Sequence, residues 1–485
     1  MTKLVFIIEL VYIVMVLVVS IKAIYDTHDS VKALGYVLII IFIPVVGILF
    51  YVSFGLNYRK RKLYSKKIIY NDALFEQVKQ YTLLSSHQEM EKHKDLLGDK
   101  VGIAEMMLSK SRLPLFPVED VKLLVNGEEK FPEVFEVLEK AKHHIHIEYY
   151  IYANDEIGNK VKDILIRKAK EGVEVRFIYD DFGSRRLGKM EKELRAAGAE
   201  VYPFYKIIIP MLASRMNYRN HRKIIVVDGK YGFVGGINID DRYINNGKNR
   251  LFWRDTHLMV KGQAIFGLQY TFIGDWNFCA GQQLELSEAY FPIHTMTPDS
   301  LRPNSLVQMV DSGPDSELAN IMLTFMGAIA IAKNRVYITT PYFIPNGTIM
   351  NAIKFAALKG VDVRLLVPGI SDSRFVNAAS CSNYRELLDV GVRIYRYQKG
   401  FVHSKTMVVD DNLSIIGSAN MDIRSYDLDF EINASVFDKK LNKELADVFM
   451  DDISESIELD LMIWKRRSRL VKLGERIARL LSPLL

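Results

Sequence analysis

The chain is 485 residues long, more than one ordinary hydrophobic core accommodates, so two domains with additions are expected. Its 64 Lys and Arg against 58 Asp and Glu leave a net charge of +6, mildly basic and far from the density of an obligate nucleic-acid binder. The two cysteines, Cys279 and Cys381, exclude a disulfide framework and a C-x-x-C zinc module, and read as reduced, buried thiols.

Leu4 to Ile21 is almost unbroken apolar sequence, interrupted by Glu9, and Ala33 to Phe54 is a second such stretch. At 1.5 Å per residue the second reaches about 33 Å, against a hydrocarbon core of about 30 Å, so both are candidate transmembrane helices. Pro44 and Gly47 are tolerated in such a helix and can bend it. A cleaved signal is disfavoured, because no small-x-small site precedes Asp26-Thr27-His28-Asp29 and a second span follows at once. The run Arg59, Lys60, Arg61, Lys62, Lys66 and Lys67 places residues 57 onward in the cytoplasm, with a short external loop between the spans. The expectation is a multi-pass cell-membrane protein: a two-helix anchor over 1–56, a helical juxtamembrane connector over 57–110, and a catalytic body on the cytoplasmic side. The same cations attract anionic membrane lipids.

The body then states one order of elements twice. A hairpin at Val121 to Val125 with the turn Asn126-Gly127, a helix from Pro132 to Lys142, a strand from Ile145 to Tyr152, a helix from Gly158 to Glu171 and a strand from Val173 to Tyr179 come first. Val307 to Val310, a helix around Ile321 to Ile331, a strand from Val336 to Thr340, a helix from Thr348 to Lys359 and a strand from Val361 to Val367 follow. Alternating strands and amphipathic helices argue for an α/β sheet flanked by helices in each of two domains, 111–295 and 296–463. The first has 23 residues from Gly198 to His221 where the second has 12 from Gly391 to His403. The surplus around 205–216 is apolar, and either dips into a bilayer, shapes an acyl-chain entrance or forms a buried loop. His143, His144 and His146 read as the start of a strand, since no matching ligand set with zinc spacing occurs. Residues 464–485 mix Lys and Arg with Leu, Val and Ile as a basic amphipathic helix, suited to an anionic membrane surface or to packing on the body.

Each domain carries one copy of a motif. The first runs from His221 through Lys223 to Asp228, then Gly235-Gly236 and Asn238; the second runs from His403 through Lys405 to Asp410, then Gly417-Ser418 and Asn420, with identical offsets. Each reads as a β-hairpin, with Asp228 and Asp410 in the turns bracing it. An imidazole beside an ammonium, with an Asn amide nearby, suits a phosphate ester: Lys223, Lys405, Asn238 and Asn420 hold oxygens while imidazole attacks phosphorus or moves a proton. Phosphodiester exchange needs a nucleophile on one side of phosphorus and an acid for the leaving alkoxide on the other, and two copies face to face supply one histidine for each. Each histidine also needs its second nitrogen held. The candidates are Asp255, 34 residues after His221 in its half, and Glu431, 28 residues after His403 in the other.

This H-x-K-x4-D element followed by G-G/S and Asn, complete in both copies, resembles the signature of the phospholipase D superfamily over about residues 111–463. The resemblance implies two phospholipase D-like α-β-α sandwich halves in pseudo-twofold arrangement around a shared cleft, with the His, Lys and Asp of both copies as the catalytic set. It also implies a phosphohistidine on His221, His403 as acid and then base, and neither metal nor other cofactor. The runs Asn-Tyr-Arg-Asn-His-Arg-Lys ending at Lys223 and Trp-Arg-Asp-Thr-His ending at His257, after paired apolar spans, look most like the cardiolipin-forming bacterial branch. That likeness implies transfer of a phosphatidyl group between two phosphatidylglycerol molecules, with release of glycerol. A phospholipase D-type hydrolase or another phosphatidyltransferase is the alternative. A membrane-attached nuclease is opposed by the small charge excess and by the lack of an aromatic-basic module, so no nucleic-acid partner is expected. A non-catalytic lipid-binding scaffold would carry degraded motifs, and neither copy lacks a residue. The oligomeric state is not legible.

Overall fold

The structure, a computed structural model, describes residues 2–27, 30–51, 67, 76, 78–185, 187–205, 218–247, 251–284, 287–292 and 304–481. Its body is a mixed α/β fold built on two large sheets. The first has the strand order Asp120–Val125, Thr256–Lys261, Tyr231–Gly235, Lys223–Val227, His144–Tyr149, Glu174–Tyr179, Glu200–Pro203. The second has Leu306–Ser312, Glu431–Phe437, Leu413–Gly417, Thr406–Val409, Arg335–Thr339, Asp362–Pro368, Arg393–Tyr397, with Leu115–Pro117 and Ser456–Glu458 added at its edges. Strands joined by helices run parallel, as in His144–Tyr149 with Glu174–Tyr179, whereas the motif hairpins pair antiparallel.

These strands read as nearly continuous apolar runs because both faces are covered. Helices Asn126–Glu139 and Glu156–Lys170 cover the outer face of the first sheet. Asn320–Ile331, Gly347–Leu358 and Arg374–Leu388 cover that of the second. Between the sheets lies a shared core in which Val226, Val234 and Leu258 meet Val408, Ile416 and Ile432, closed by helices Ile265–Ala280 and Lys439–Ser454.

Several expectations are corrected. Asn126-Gly127 is not a hairpin turn but the first turn of helix Asn126–Glu139, which carries Pro132 inside it. The strand before it pairs with distant Thr256–Lys261, and Asn126 bonds the backbone of Asp255, so a long-range partner overrode the local turn signal. Leu115–Pro117, placed in the first domain by sequence, is an edge strand of the second sheet. The connector packs there too: Leu96, Leu97, Ile103 and Met107 enter the second core, and Lys100 Nζ lies 3.0 Å from Asp410 Oδ2.

At the amino end Thr2–Asp26 is one long apolar helix, 22 residues of it apolar enough to cross a membrane. The expected second span is divided at Ile43 into Ser30–Phe42 and Pro44–Phe50, since proline removes a donor and clashes with the preceding turn. Lys32 Nζ lies 3.3 Å from Asp427 Oδ2 of the body. The terminal segment is two helices, Leu461–Arg466 and Arg469–Leu481, not one. The 206–217 insertion and most of the cation run lie outside the described residues.

The histidines of His144–Tyr149 are strand residues, as expected: His146 stacks on Phe272 at 4.4 Å and accepts from Gln269 at 2.7 Å. Both cysteines are free.

Asp228 and Asp410, expected in the catalytic set, stand at the opposite end of each hairpin from its histidine. Both adopt a left-handed φ of 52°. Asp228 accepts from the backbone N–H groups of Lys142, His143 and His144 at 2.8–3.0 Å, and Asp410 from those of Lys333 and Asn334. They tie each hairpin turn to the start of the neighbouring strand, which runs antiparallel to the hairpin's first strand. Asp228→Ala strands three donors and puts a Cβ-only residue at positive φ, so it should lower unfolding stability by about 1–3 kcal/mol. Asp228→Asn, which tolerates that φ and keeps an acceptor, should lose less than half as much in urea unfolding followed by intrinsic fluorescence.

Candidate active site

His221 lies two residues ahead of strand Lys223–Val227. Its backbone N–H donates to the carbonyl of Phe430 at 2.9 Å, and Phe430 N–H donates to the carbonyl of Arg219 at 2.8 Å. The same contact is made with the halves exchanged: Gly400–Val402 pairs in parallel with Phe252–Arg254, and His403 N–H donates to the carbonyl of Arg254 at 2.7 Å. Each histidine is thus docked beside the residue that precedes the other half's acid. Glu431 Oε1 lies 3.1 Å from His221 Nδ1, and Asp255 Oδ2 lies 2.7 Å from His403 Nδ1. The pairing expected within each half is therefore corrected to an exchange between halves.

With Nδ1 held, each ring presents Nε2. His221 keeps 21% and His403 14% of its side-chain surface exposed, while Asp255 and Glu431 are fully buried, so only the rings are reachable. Lys223 Nζ donates to the His221 carbonyl and Lys405 Nζ to the His403 carbonyl, each at 2.5 Å, and Lys405 Nζ also lies 3.0 Å from His403 Nδ1.

Burial governs the protonation of this cluster. It lowers His221 to about 4, opposed by Asp429 and assisted by Lys223. His403 is lowered to about 4 by burial and by the Lys405 ammonium, against Asp255. Lys405 falls to about 7 through burial, which outweighs the attraction of Asp255. Burial pushes the Glu431 carboxyl up to about 7, although Lys223 and the hydroxyls of Ser418 and Ser425 favour its ionised form. Lys223 is felt at both His403 and Lys405, so the two motif copies form one electrostatic site.

The two Asn differ. Asn238 is committed, accepting from Ile151 N–H at 3.2 Å and donating to Tyr243 OH at 2.8 Å. Asn420 lines a cavity of about 370 Å³ beside His221, together with Tyr150, Phe182, Arg219, Ile344, Val376 and Arg424. Its buried Oδ1 has no hydrogen-bond partner among the described residues.

Sequence reasoning missed several neighbours. Asp429 Oδ2 is 3.7 Å from His221 Nδ1 and is paired with Arg424 at 3.2 Å. The Tyr150 ring stands 4.2 Å from that of His221, and Trp253 and Phe401 flank His403. Asp429, two residues before Glu431, was legible as a second acid; Arg424 and Tyr150 carried no motif signal. Among the described residues, His221, Asp429 and Glu431 form the one group with metal-like spacing, their donor atoms within 4.8 Å. Arg424 and the hydroxyls of Ser418 and Ser425 already serve the two carboxylates, at 3.2, 2.5 and 3.0 Å.

The family model described as "Cardiolipin synthase, PLD-like domain" matches residues 134–267 and 325–453. The chain is 40% identical over 484 residues to a cardiolipin synthase of Alkalihalophilus pseudofirmus, covering 98% of this chain and 93% of that one. It is 40% identical over 476 residues to cardiolipin synthase 2 of Bacillus anthracis, covering 95% and 88%. In fold it is similar to a phosphatidylserine synthase of Haemophilus influenzae, with a TM-score of 0.60 at 17% identity over 80% of this chain and 100% of that one. The chain belongs to the cardiolipin synthase family of phospholipase D-like proteins.

Proposed function

We propose that this chain makes cardiolipin: it transfers the phosphatidyl group of one phosphatidylglycerol to the terminal hydroxyl of a second and releases glycerol. The observation that carries the reading is the exchanged pair of imidazole–carboxylate contacts, at 3.1 and 2.7 Å, in one site with two lysines. Exchange of one phosphodiester for another conserves bond type and needs no nucleotide.

His221 attacks phosphorus through Nε2 as His403 gives a proton to the departing glycerol oxygen. His403 then takes the proton of the incoming lipid hydroxyl, which attacks the phosphohistidine. The unequal acids support this division. Asp255 holds His403 at 2.7 Å and also accepts from Thr256 N–H, an arrangement that stabilises an imidazolium and suits a proton carrier. Glu431, with a carboxyl near 7 and two hydroxyl donors, stabilises a charged His221 less and leaves it a neutral nucleophile. Lys223 and Lys405 neutralise the phosphoryl oxygens, and a bound phosphodiester in turn favours their charged forms. We read the two halves as related by a pseudo-twofold axis between the histidines. The apolar helix Thr2–Asp26 supports membrane attachment, and the cation run from Arg59 to Lys67 supports a cytoplasmic body next to anionic lipid.

The full-length protein, incubated with phosphatidylglycerol vesicles, should yield cardiolipin and glycerol in equal amounts; phosphatidic acid as the sole lipid product would make it a hydrolase and overturn the synthase reading. His221→Ala and His403→Ala should each cut cardiolipin formation by about 10²–10⁴-fold with an unchanged unfolding profile. Turnover at the unaltered rate in either variant would remove the two-histidine mechanism.

The pH dependence of kcat/KM reads the free enzyme. His221 attacks as the neutral ring, so activity should fall as pH drops toward 4. His403 must carry its proton to release glycerol although burial lowers the free ring to about 4, and Lys405 binds phosphate as the cation, present below about 7 and lost above it, so activity should also fall as pH rises, with the Lys405 loss completing the alkaline limb at about 7. Lys405→Arg, whose guanidinium stays charged, should move the alkaline limb upward. An unmoved limb would assign that titration to Glu431, which ionises over the same range.

A further inference from the structure

The carboxyl-terminal helix Arg469–Leu481 is mounted with its apolar side outward. Leu470, Leu473, Ile477 and Leu480, spaced by three and four residues and therefore on one face, are 79%, 55%, 49% and 75% exposed. The residues it turns inward are Glu475, paired with Arg467, and Ala478. A helix packed for the sake of a soluble core would bury the leucines and expose the glutamate. Cations border the apolar stripe, and Arg469 and Arg476 have no ion-pair partner among the described residues. An apolar face flanked by uncompensated cations is complementary to an anionic bilayer surface.

The inward contact connects this helix to the active site. Ala478 shares one small buried cluster with Ala379 and Val376 of helix Arg374–Leu388 and with Ile344. Ile344 and Val376 are also walls of the cavity that holds His221. On another side of the cavity, helix Ile423–Asp427 supplies Ile423 and Arg424 to the wall, and its last residue, Asp427, meets Lys32 just after the long apolar helix. Two membrane-suited elements thus adjoin the walls of one cavity.

We propose that the Leu470–Leu480 face is a docking surface for an anionic phospholipid bilayer, and that it seats the mouth of the His221 cavity on the membrane so that lipid enters from the bilayer. What enters rests on the phosphatidyl-transfer reading; the membrane contact rests on the helix alone. The arrangement confines membrane contact to the outward stripe and keeps the cavity wall itself in the protein.

The test uses the full chain with Cys279 and Cys381 replaced by Ala and a bimane fluorophore on Leu473→Cys or, in a second protein, on Ile477→Cys. Vesicles of phosphatidylglycerol with brominated acyl chains should quench both probes, and neutral phosphatidylcholine vesicles of the same bromine content should quench them less. Absence of quenching overturns the proposal, and an unquenched but blue-shifted probe would place a second copy of the chain on this face and overturn it as well. In parallel, Leu473→Gln with Ile477→Gln should lower the ratio of vesicle to mixed-micelle cardiolipin formation about tenfold or more. Equal loss in both would mark a purely structural helix and overturn the proposal. Quenching without cardiolipin from the unaltered active site would uphold the surface and remove the synthase reading instead.

Discussion

The constraint on which the rest depends is that neither histidine is served by the acid of its own half. Backbone pairing between the halves, His221 N–H to Phe430 and His403 N–H to Arg254, brings Glu431 and Asp255 to the opposite rings. A backbone hydrogen bond is short and directional, so it fixes the register of the contact to a single residue. The acid that follows in sequence then has one ring to face. Neither half holds a complete site, and the cleft exists only while the two sheets are docked through their shared core.

Behind this contact the halves are joined again by charge. Arg222, next to His221 and fully buried, pairs with Asp275 of one half and with Asp311 of the other at 2.9 Å, and Lys67 from the connector reaches the same group through Asp275 and Asp315. Burying so many charges is costly, and a well-packed apolar cluster of the same volume would be no less stable. What is observed is an Arg held by a carboxylate from each half, directly next to His221 in sequence. The Lys67 contact carries that arrangement to the segment that follows the apolar amino-terminal helices.

Electrostatics and burial act in opposite directions in the cleft, and the chemistry lies in their balance. Burial drives both imidazoles and Lys405 toward their neutral forms, while the buried acids pull them back. Burial lowers Lys405 to about 7, and a negatively charged phosphodiester beside it would favour its cationic form. The acids are unequal, with one short contact on His403 and one longer, hydroxyl-shared contact on His221, so the two copies of one motif are not equivalent. One difference behind it is Gly236 in the first copy, where a side chain would strike Asp255, against Ser418 in the second, which donates to Glu431 at 2.5 Å.

Much of this was legible in order of residues. The duplicated offsets marked both motif copies, both hairpins and the acids to which they would answer, because short-range spacing along a strand is a covalent property of the chain. The alternation of strands and helices disclosed the α/β class for the same reason. Errors came wherever a distant partner decided the outcome. Asn126 looked like a hairpin turn, yet its strand pairs with Thr256–Lys261, and Leu115–Pro117 joined the other sheet. Sequence by itself determined the residues of the motif, their spacing and how many copies of it there are. Only the tertiary structure decided which acid serves which histidine, which Asn reaches the cavity and which face of the last helix looks outward, because those depend on contacts between elements far apart in the chain that no local pattern encodes.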